Sequence, residues 1–498
     1  MILLGIDLGT SSVKILAIDE RGNIIGDVSK DYPVNYPRDN WAEQNPEDWW
    51  INTREGIKEL TQKFSIASNS IRAVSFSGQM HGLVALDGNN EVLTPAILWC
   101  DQRTYEECED ITNFFGKEKL TQYVGNKALT GFTAPKILWL KKNKRDVFDK
   151  IKHILLPKDY IRFKLTGDFA TDVSDASGML LLDVKNRSWS KEMLEFIGIK
   201  ESVLPVLYES YEVTGKVTEE AKRELGLKGE ILVIAGAGDQ AAGAIGTGAV
   251  EDGIVSVNLG TSGVVFAAHD EFAVDRENRL HAFCHANGKY HSMGVMLSAA
   301  SCLKWWVEEV NRGMTFDQLL EEAKGSQSSG VVFLPYLFGE RTPYSDPDAR
   351  GCFIGLSINT TRGEMTRAVL EGVAFGLKDS LEILKDINIP IKEIRVIGGG
   401  AKSPLWKQIL ADVFGAIIAE INTTQGGALG AAILAGVGAG VFQSINVACS
   451  NIIKVTNHIE SNRKNVECYK RIYKLYSKLY HSLYDWFKAS AKVKDEVV

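Results

Sequence analysis

Residues 231–244 read ILVIAGAGDQAAGA, an apolar run that opens into glycines, one carboxylate and then small residues. The run reads as a buried strand, and the small residues as the start of a closely packed helix. Asp239 therefore stands on a turn at a strand end, where a carboxylate can accept the proton of an attacking hydroxyl during phosphoryl transfer. The plainer reading is that Asp239 caps the helix behind it, and the two roles are compatible. Two further stretches suit the same chemistry. Residues 7–19 read DLGTSSVKILAID, and residues 258–270 read NLGTSGVVFAAHD. Each has a turn of Gly, Thr and Ser between apolar runs. Such a turn points several backbone N–H groups at one place with no bulky side chain in the way, so Gly9, Thr10, Gly260 and Thr261 can hold phosphate oxygens. One copy alone would be a plain β-turn. Two copies, with a third glycine loop at Gly398, Gly399 and Gly400, point to a nucleotide polyphosphate. Asp7 opens the first copy and Asn258 the second. A carboxylate repels bare phosphate but holds magnesium, directly or through water, so the first copy reads as the metal side and the second as purely phosphate-holding.

Three more residues could line a pocket for a polyhydroxylated substrate, which needs donors and acceptors facing inward. Met80 and His81 follow an apolar strand over 71–76, and Asp101 follows another over 96–99. Loops at strand ends are where open α/β sheets bind ligands. A lone histidine is more often structural, so both readings of His81 stand. Arg341 could touch phosphate, but a salt bridge within its loop is the simpler reading. Trp305 and Trp306 read as helix core.

The elements that must position these residues repeat as the motifs do. Residues 1–27 alternate apolar runs with tight turns, which predicts an antiparallel meander. Its return at residue 258 predicts two related α/β halves facing each other across a cleft, 1–247 and 248–498. No Pro- or Ser-rich linker separates them, so packed structure and a hinge should join them. Helices are expected after Asn45, across much of 104–168, and over 298–310 and 362–387, with a strand over 393–397 before the third glycine loop. Tyr469, Tyr473, Tyr476, Tyr480, Tyr484 and Phe487 recur at spacings that make one aromatic stripe on a final helix, either core packing or a docking seam.

Composition narrows the partners. At 498 residues, 45% apolar and 24% charged, the chain has an ordinary globular make-up and is too long for one core. A net charge of −7 with dispersed basic residues offers no footprint for nucleic acid or an anionic membrane. Seven scattered cysteines, none as C-x-x-C, read as reduced thiols rather than disulfides or a zinc site. The first residues lack a basic start and are interrupted by Asp7, unlike a signal peptide, and no stretch is long enough to span a bilayer. A cytoplasmic protein acting on a small molecule is expected, and a homodimer is compatible with the sequence.

These motifs resemble, along nearly the whole chain, those of the FGGY carbohydrate kinases, and most closely the branch acting on D-xylulose. The resemblance is carried by IDLGTSSVK, the Gln79-Met80-His81-Gly82 loop, ILWCDQR, GFTAPKILWLKKN, LLPKDYIR, DVSDASGMLLLDV, the Asp239 loop, LGTSG, FLPYLFGERTP, residues 351–371 and the Gly398 loop. It implies a two-domain actin-like ATPase fold, ribonuclease H-like in each half, with the sugar pocket in the first and ATP binding in the second. It implies that Asp239 is the proton acceptor and that Asp7 acts through magnesium. Met80, His81, Asp101 and Gln240 would line the sugar pocket, while Gly9, Thr10, Gly260, Thr261, Gly399 and Gly400 would hold ATP. Two departures bear on the sugar: Gln240 follows Asp239 where many members of that branch have Asn, and Cys100 stands where Asn often precedes Asp101. The implied reaction is ATP-dependent phosphorylation of D-xylulose at its 5-hydroxyl. The alternatives are a kinase of another ketose or polyol, such as L-ribulose or glycerol, and an actin- or chaperone-like ATPase switch.

Overall fold

A computed structural model of the chain describes residues 1–328 and 330–497. The opening meander is β1 (Ile2–Leu8), β2 (Ser12–Asp19) and β3 (Ile24–Asp31), antiparallel throughout, with Leu8 opposite Val13 across the first turn. Helix α1 (Pro46–Lys63) starts at Asn45, whose side chain accepts the Glu47 amide, and Pro46 fills the first helical position where its missing N–H is not needed. It buries Trp49, Ile57 and Leu60 against the sheet. Strand β4 (Ile71–Gly78) returns parallel to β1. A long excursion then carries α2 (Thr133–Asn143) and α3 (Pro157–Thr166), before β5 (Leu232–Ile234) pairs parallel with β4 and leads into α4 (Asp239–Thr247).

The second sheet repeats this plan. Strands β6 (Ile254–Leu259) and β7 (Gly263–His269) are the second hairpin, and β8 (Tyr290–Met296) lies antiparallel beside β7. After α5 (Ala300–Trp305) and α6 (Arg362–Asp386), β9 (Glu393–Ile397) pairs parallel with β6, and β10 (Ile418–Ile421) parallel with β9. The spatial order β8-β7-β6-β9-β10 matches β3-β2-β1-β4-β5 in order and direction. The echo between residues 7 and 258 thus extends to a whole sheet.

Helices α7 (Gly426–Gly438) and α4 tie the halves together. Although α7 comes late in the chain, it packs on β1 and β4 of the first sheet and crosses α4. The crossing is backbone against backbone: a Cβ added at Gly246 would lie 1.9 Å from the Gly426 carbonyl oxygen, and one at Gly430 would lie 1.8 Å from that of Ala242. On its other side α4 sets Ala244 against Phe266 and Ala268 of the second sheet. The small residues after Asp239 and after Gln425 therefore serve one shared contact. The final helix, α8 (Arg463–Val497), buries Tyr469, Tyr476, Tyr480 and Phe487, while the Tyr469 and Tyr473 hydroxyls donate to Glu371 and Asp379 of α6, both at 2.7 Å. The aromatic stripe is core packing except at Tyr484, which is exposed.

One expected strand is different. Only Ala96–Ile97 is extended, and it pairs with Glu43–Gln44 outside either large sheet, because Pro95 before it and the turn after Leu98 leave two residues for pairing. Among the described residues no helix is long and apolar enough to cross a membrane, no metal-binding group of three or more His, Cys, Asp or Glu forms, and every cysteine is unpaired.

The α4–α7 contact gives a direct expectation. Gly430→Ala forces the two helices apart and should cost about 1–3 kcal/mol in urea unfolding. Gly243→Ala, on α4 with nothing within 4 Å of its added Cβ, should leave stability unchanged or raise it by about 0.5–1 kcal/mol. Equal effects at the two positions would contradict the packing described.

Candidate active site

The ends of β1 and β4, the starts of α4 and α7, and the β6–β7 hairpin converge on one cavity of about 200 Å³, lined by Asp7, Asp239, Gln240, Asn258, Gly426 and Gly427 among others. Ser77 at the end of β4 donates to Asp7 Oδ1 at 2.6 Å. The first turn of α7 presses on the same carboxylate, since a Cβ at Gly427 would lie 2.9 Å from both Asp7 oxygens. The helix N-terminus there favours negative charge. Asp239 occupies the first position of α4, and Gly238, which has no side chain to offer, is the N-cap. Enclosure raises the Asp239 pKa to about 7, the Asp7 charge adds to the rise, and hydrogen bonds from Gln240 oppose it. Burial also raises the Asp7 pKa, against the Ser77 hydrogen bond and the charge of Lys14. Two like charges in one enclosed site leave one carboxylate ready to take a proton near neutral pH.

A buried ionic cluster supports the floor of this cavity. The Gly238 amide donates to Ser174 Oγ at 3.2 Å, and the Ser174 hydroxyl donates to Asp172. Asp172 pairs with Lys158 at 2.9 Å, and Lys158 pairs with Asp159 at 2.7 Å, all without solvent exposure. Burial works against the Lys158 charge, but Asp159, Asp172 and Asp175 together lift its pKa above the usual lysine range. The stem of Lys158 packs against Gly78, where a Cβ would lie 2.7 Å away. The cluster therefore sits behind both the β4 end and the Asp239 turn.

Met80 packs on the same turn, with Sδ 2.9 Å from a Cβ added at Gly238. His81 follows in a left-handed conformation at φ 71°. Its Nδ1 meets the Gly178 carbonyl at 2.6 Å, and its ring lies edge-on to Phe132 at 4.9 Å. Its own carbonyl accepts from Lys136 at 2.8 Å and Thr133 at 3.0 Å. Burial lowers the His81 pKa to about 3, so the imidazole is neutral. Asp101 has both oxygens engaged: it accepts from the Ala42 amide at 2.6 Å and from Arg103 Nε and Nη2, and Arg103 in turn stacks on Trp41. Its carboxylate is fully buried.

The glycine turns occupy distinct places. Gly9 accepts the Tyr32 hydroxyl through its carbonyl at 2.6 Å, and Thr10 Oγ1 accepts from Trp99 at 2.9 Å. The Gly260 and Thr261 carbonyls accept the Ala300 and Ala299 amides at 2.8 and 2.9 Å, which ties the second turn to the start of α5 and leaves the Thr261 side chain outward. Gly398, at φ 94°, lies against that hairpin, with a Cβ position 2.6 Å from Asn258 Oδ1. Gly399 and Gly400 belong to a second cavity of about 780 Å³, whose walls include Leu303, Phe316, Leu320 and Leu405. Its size and apolar walls suit a nucleoside. Asn258 on the first cavity thus meets the loop that opens the second.

Ser77, Gly427 and the Lys158 cluster escaped the sequence reading. Gly427 carries a usable signal, a Gly-Gly pair opening an apolar helix. Arg341 was expected in a loop salt bridge and forms none among the described residues. Glu340, the adjacent carboxylate, instead accepts the main-chain amides of Leu297 and Arg341 at 3.0 and 2.7 Å.

Residues 2–246 match the N-terminal domain of the FGGY family of carbohydrate kinases, and residues 255–439 match its C-terminal domain. A xylulose kinase of Lactococcus lactis is 40% identical over 484 residues, covering 96% of both chains. The crystal structure of a xyloylose kinase from Brucella ovis, 38% identical, superposes with a TM-score of 0.93 over 98% of this chain and 100% of that one. That of a gluconate kinase from Lactobacillus acidophilus, 30% identical, gives 0.92 over 97% and 98%.

Removing the charge of Lys158 while keeping its bulk, as in Lys158→Met, strands buried carboxylates and should cost about 3–5 kcal/mol in urea unfolding. A loss under about 1 kcal/mol would contradict the paired cluster.

Proposed function

The chain belongs to the FGGY family of carbohydrate kinases, and on that premise we propose that it transfers the γ-phosphoryl group of ATP to the 5-hydroxyl of D-xylulose. The observation that carries this reading is the pair Asp7 and Asp239 in one cleft cavity, with Asp239 raised to a pKa of about 7. The choice of sugar is supported by similarity to the xylulose kinase of Lactococcus lactis, 40% identical over 96% of the chain.

In this mechanism Asp239 accepts the proton of the 5-hydroxyl as that oxygen bonds to the γ-phosphorus and the bond to the β,γ-bridging oxygen breaks, releasing ADP. Met80 and His81 bound the sugar, the neutral imidazole offering its Nε2 edge, while Gln240 holds the sugar beside the base. Asp101 acts through Arg103 and Trp41 to keep that wall in place. Gly9 and Thr10 on one side, and Gly260, Thr261, Gly399 and Gly400 on the other, steady the phosphates, with the adenosine in the 780 Å³ cavity. The Asp7 carboxylate offers oxygen donors that fit a hard cation, and a single carboxylate leaves the remaining positions to phosphate and water, as magnesium prefers. Bound there, magnesium would neutralise phosphate charge. We divide the chain at 247/248, with the sugar and base on the first part and ATP mainly on the second. Closure about the α4–α7 contact would exclude water and limit idle hydrolysis.

A second reading, a kinase of another ketose or a polyol, rests on Gln240 and Cys100 at the sugar wall. ADP release across D-xylulose, L-ribulose, glycerol and D-gluconate separates the two: the largest stimulation should come from D-xylulose. Stimulation by a different sugar would select the second reading, and stimulation by none would reject a kinase.

Asp239→Asn should lower kcat on D-xylulose by about 10²–10⁴-fold while calorimetric sugar binding persists; wild-type turnover would contradict the base assignment. The base must be ionised, so kcat/KM should hold above pH 7 and fall about tenfold per unit below it, following the Asp239 pKa of about 7. An acidic limb near the ordinary aspartate value would show that Asp239 is not the titrating group.

A further inference from the structure

Arg341 takes no part in the chemistry assigned to Asp7 and Asp239, yet it is a half-buried cation that burial disfavours and that only the charge of the adjacent Glu340 favours among the described residues. Its guanidinium makes no hydrogen bond, ion pair or ring contact among the described residues. The adjacent Glu340 spends one oxygen on the amides of Leu297 and Arg341, and the other oxygen has no hydrogen-bond partner among the described residues. A cation withdrawn from water without acceptors is costly unless a ligand supplies them.

The loop that carries Arg341 is fixed. The Thr342 amide donates to Val295 at 3.0 Å, the Val295 amide donates to Thr342 Oγ1 at 3.0 Å, and that hydroxyl donates to the Arg279 carbonyl at 3.0 Å. Val295 on β8 pairs with Val264, which lines the cavity of Asp7 and Asp239. The same loop reaches the first half of the chain, where Lys127 donates to Ser345. Two residues beyond Arg279, His281 lies edge-on to Phe132 at 5.7 Å, and Phe132 meets His81 at 4.9 Å. Consistent with this placement, the Arg341 charge adds to burial in keeping both imidazoles neutral. Arg341 therefore keeps company with His81 and the base cavity, whereas the glycine turns of the nucleotide side gather around Asn258 and α5.

We propose that Arg341 is a sugar-binding, specificity-determining residue, donating to the oxygens at the end of the sugar remote from the hydroxyl that faces Asp239. A guanidinium has several N–H donors in a fixed fork and no acceptor, which matches a ketose carbonyl and its neighbouring hydroxyl. Because Arg341 comes from the second half and His81 from the first, the sugar itself joins the two walls. This assignment rests on the sugar kinase reading above.

The test is a comparison of Arg341→Gln and Arg341→Lys with the wild type, using ADP release to obtain KM for D-xylulose and for ATP, with thermal midpoints to establish that each variant is folded. Arg341→Gln should raise the sugar KM at least tenfold and leave the ATP KM within twofold, with Arg341→Lys between. The 1-deoxy analogue of the ketose should bind the wild type more weakly than D-xylulose, and Arg341→Gln should no longer distinguish the two. An unchanged sugar KM overturns the proposal while leaving the kinase reading intact. A rise confined to the ATP KM also overturns it, by assigning Arg341 to phosphate. A wild type that no sugar stimulates overturns both.

Discussion

Gly246 and Gly430 let α4 and α7 cross with backbone against backbone, and the groups of the cleft take their places from that contact. Helix α7 is carried by the second half of the chain but lies on β1 and β4 of the first sheet, so its opening glycines arrive beside the Asp7 carboxylate. Helix α4 begins at Asp239 and rests on the second sheet through Ala244. Any side chain larger than hydrogen at the crossing would move Asp239 away from Asp7. A contact built from small residues also holds few interlocking side chains, which suits a joint about which two walls turn.

The cost of the site is concentrated behind it. Lys158 and its aspartates lie without solvent, an arrangement that hydrophobic residues of similar volume would often replace without loss of stability. What the cluster provides is direction: through Asp172 and Ser174 it fixes the amide of Gly238, the residue before the proposed base. Asp7 and Asp239 face a related conflict, since enclosure raises both from the usual carboxylate range and the Asp7 charge raises Asp239 further. Enclosure first, and the Asp7 charge second, make Asp239 basic enough to accept a proton near neutral pH.

Much of this was legible in the sequence because it is local. Alternation and tight turns specify the meander, and its second copy at residue 258 announced the second sheet. Asp239 was visible because a carboxylate between glycines at a strand end is an uncommon pattern. Ser77, Gly427 and Lys158 were not visible because their meaning comes from long-range approach: Ser77 meets Asp7 across paired strands, and Gly427 meets it from the far end of the chain. Asp101 stood out by residue type, yet type alone does not tell that Arg103 and the Ala42 amide consume its oxygens. Arg341 shows the converse, where an adjacent glutamate suggested a partner that the fold turns toward main-chain amides. The strand expected over 96–99 is shortened by Pro95, a local signal that its apolar residues masked.

The central claim is that the cleft moves a phosphoryl group from ATP onto the hydroxyl facing Asp239 instead of onto water. Phosphorus NMR of the mixture after incubation with magnesium, ATP and D-xylulose tests it most directly. Equal amounts of ADP and a phosphate ester at the 5-carbon are predicted; ADP accompanied by inorganic phosphate alone would contradict the account.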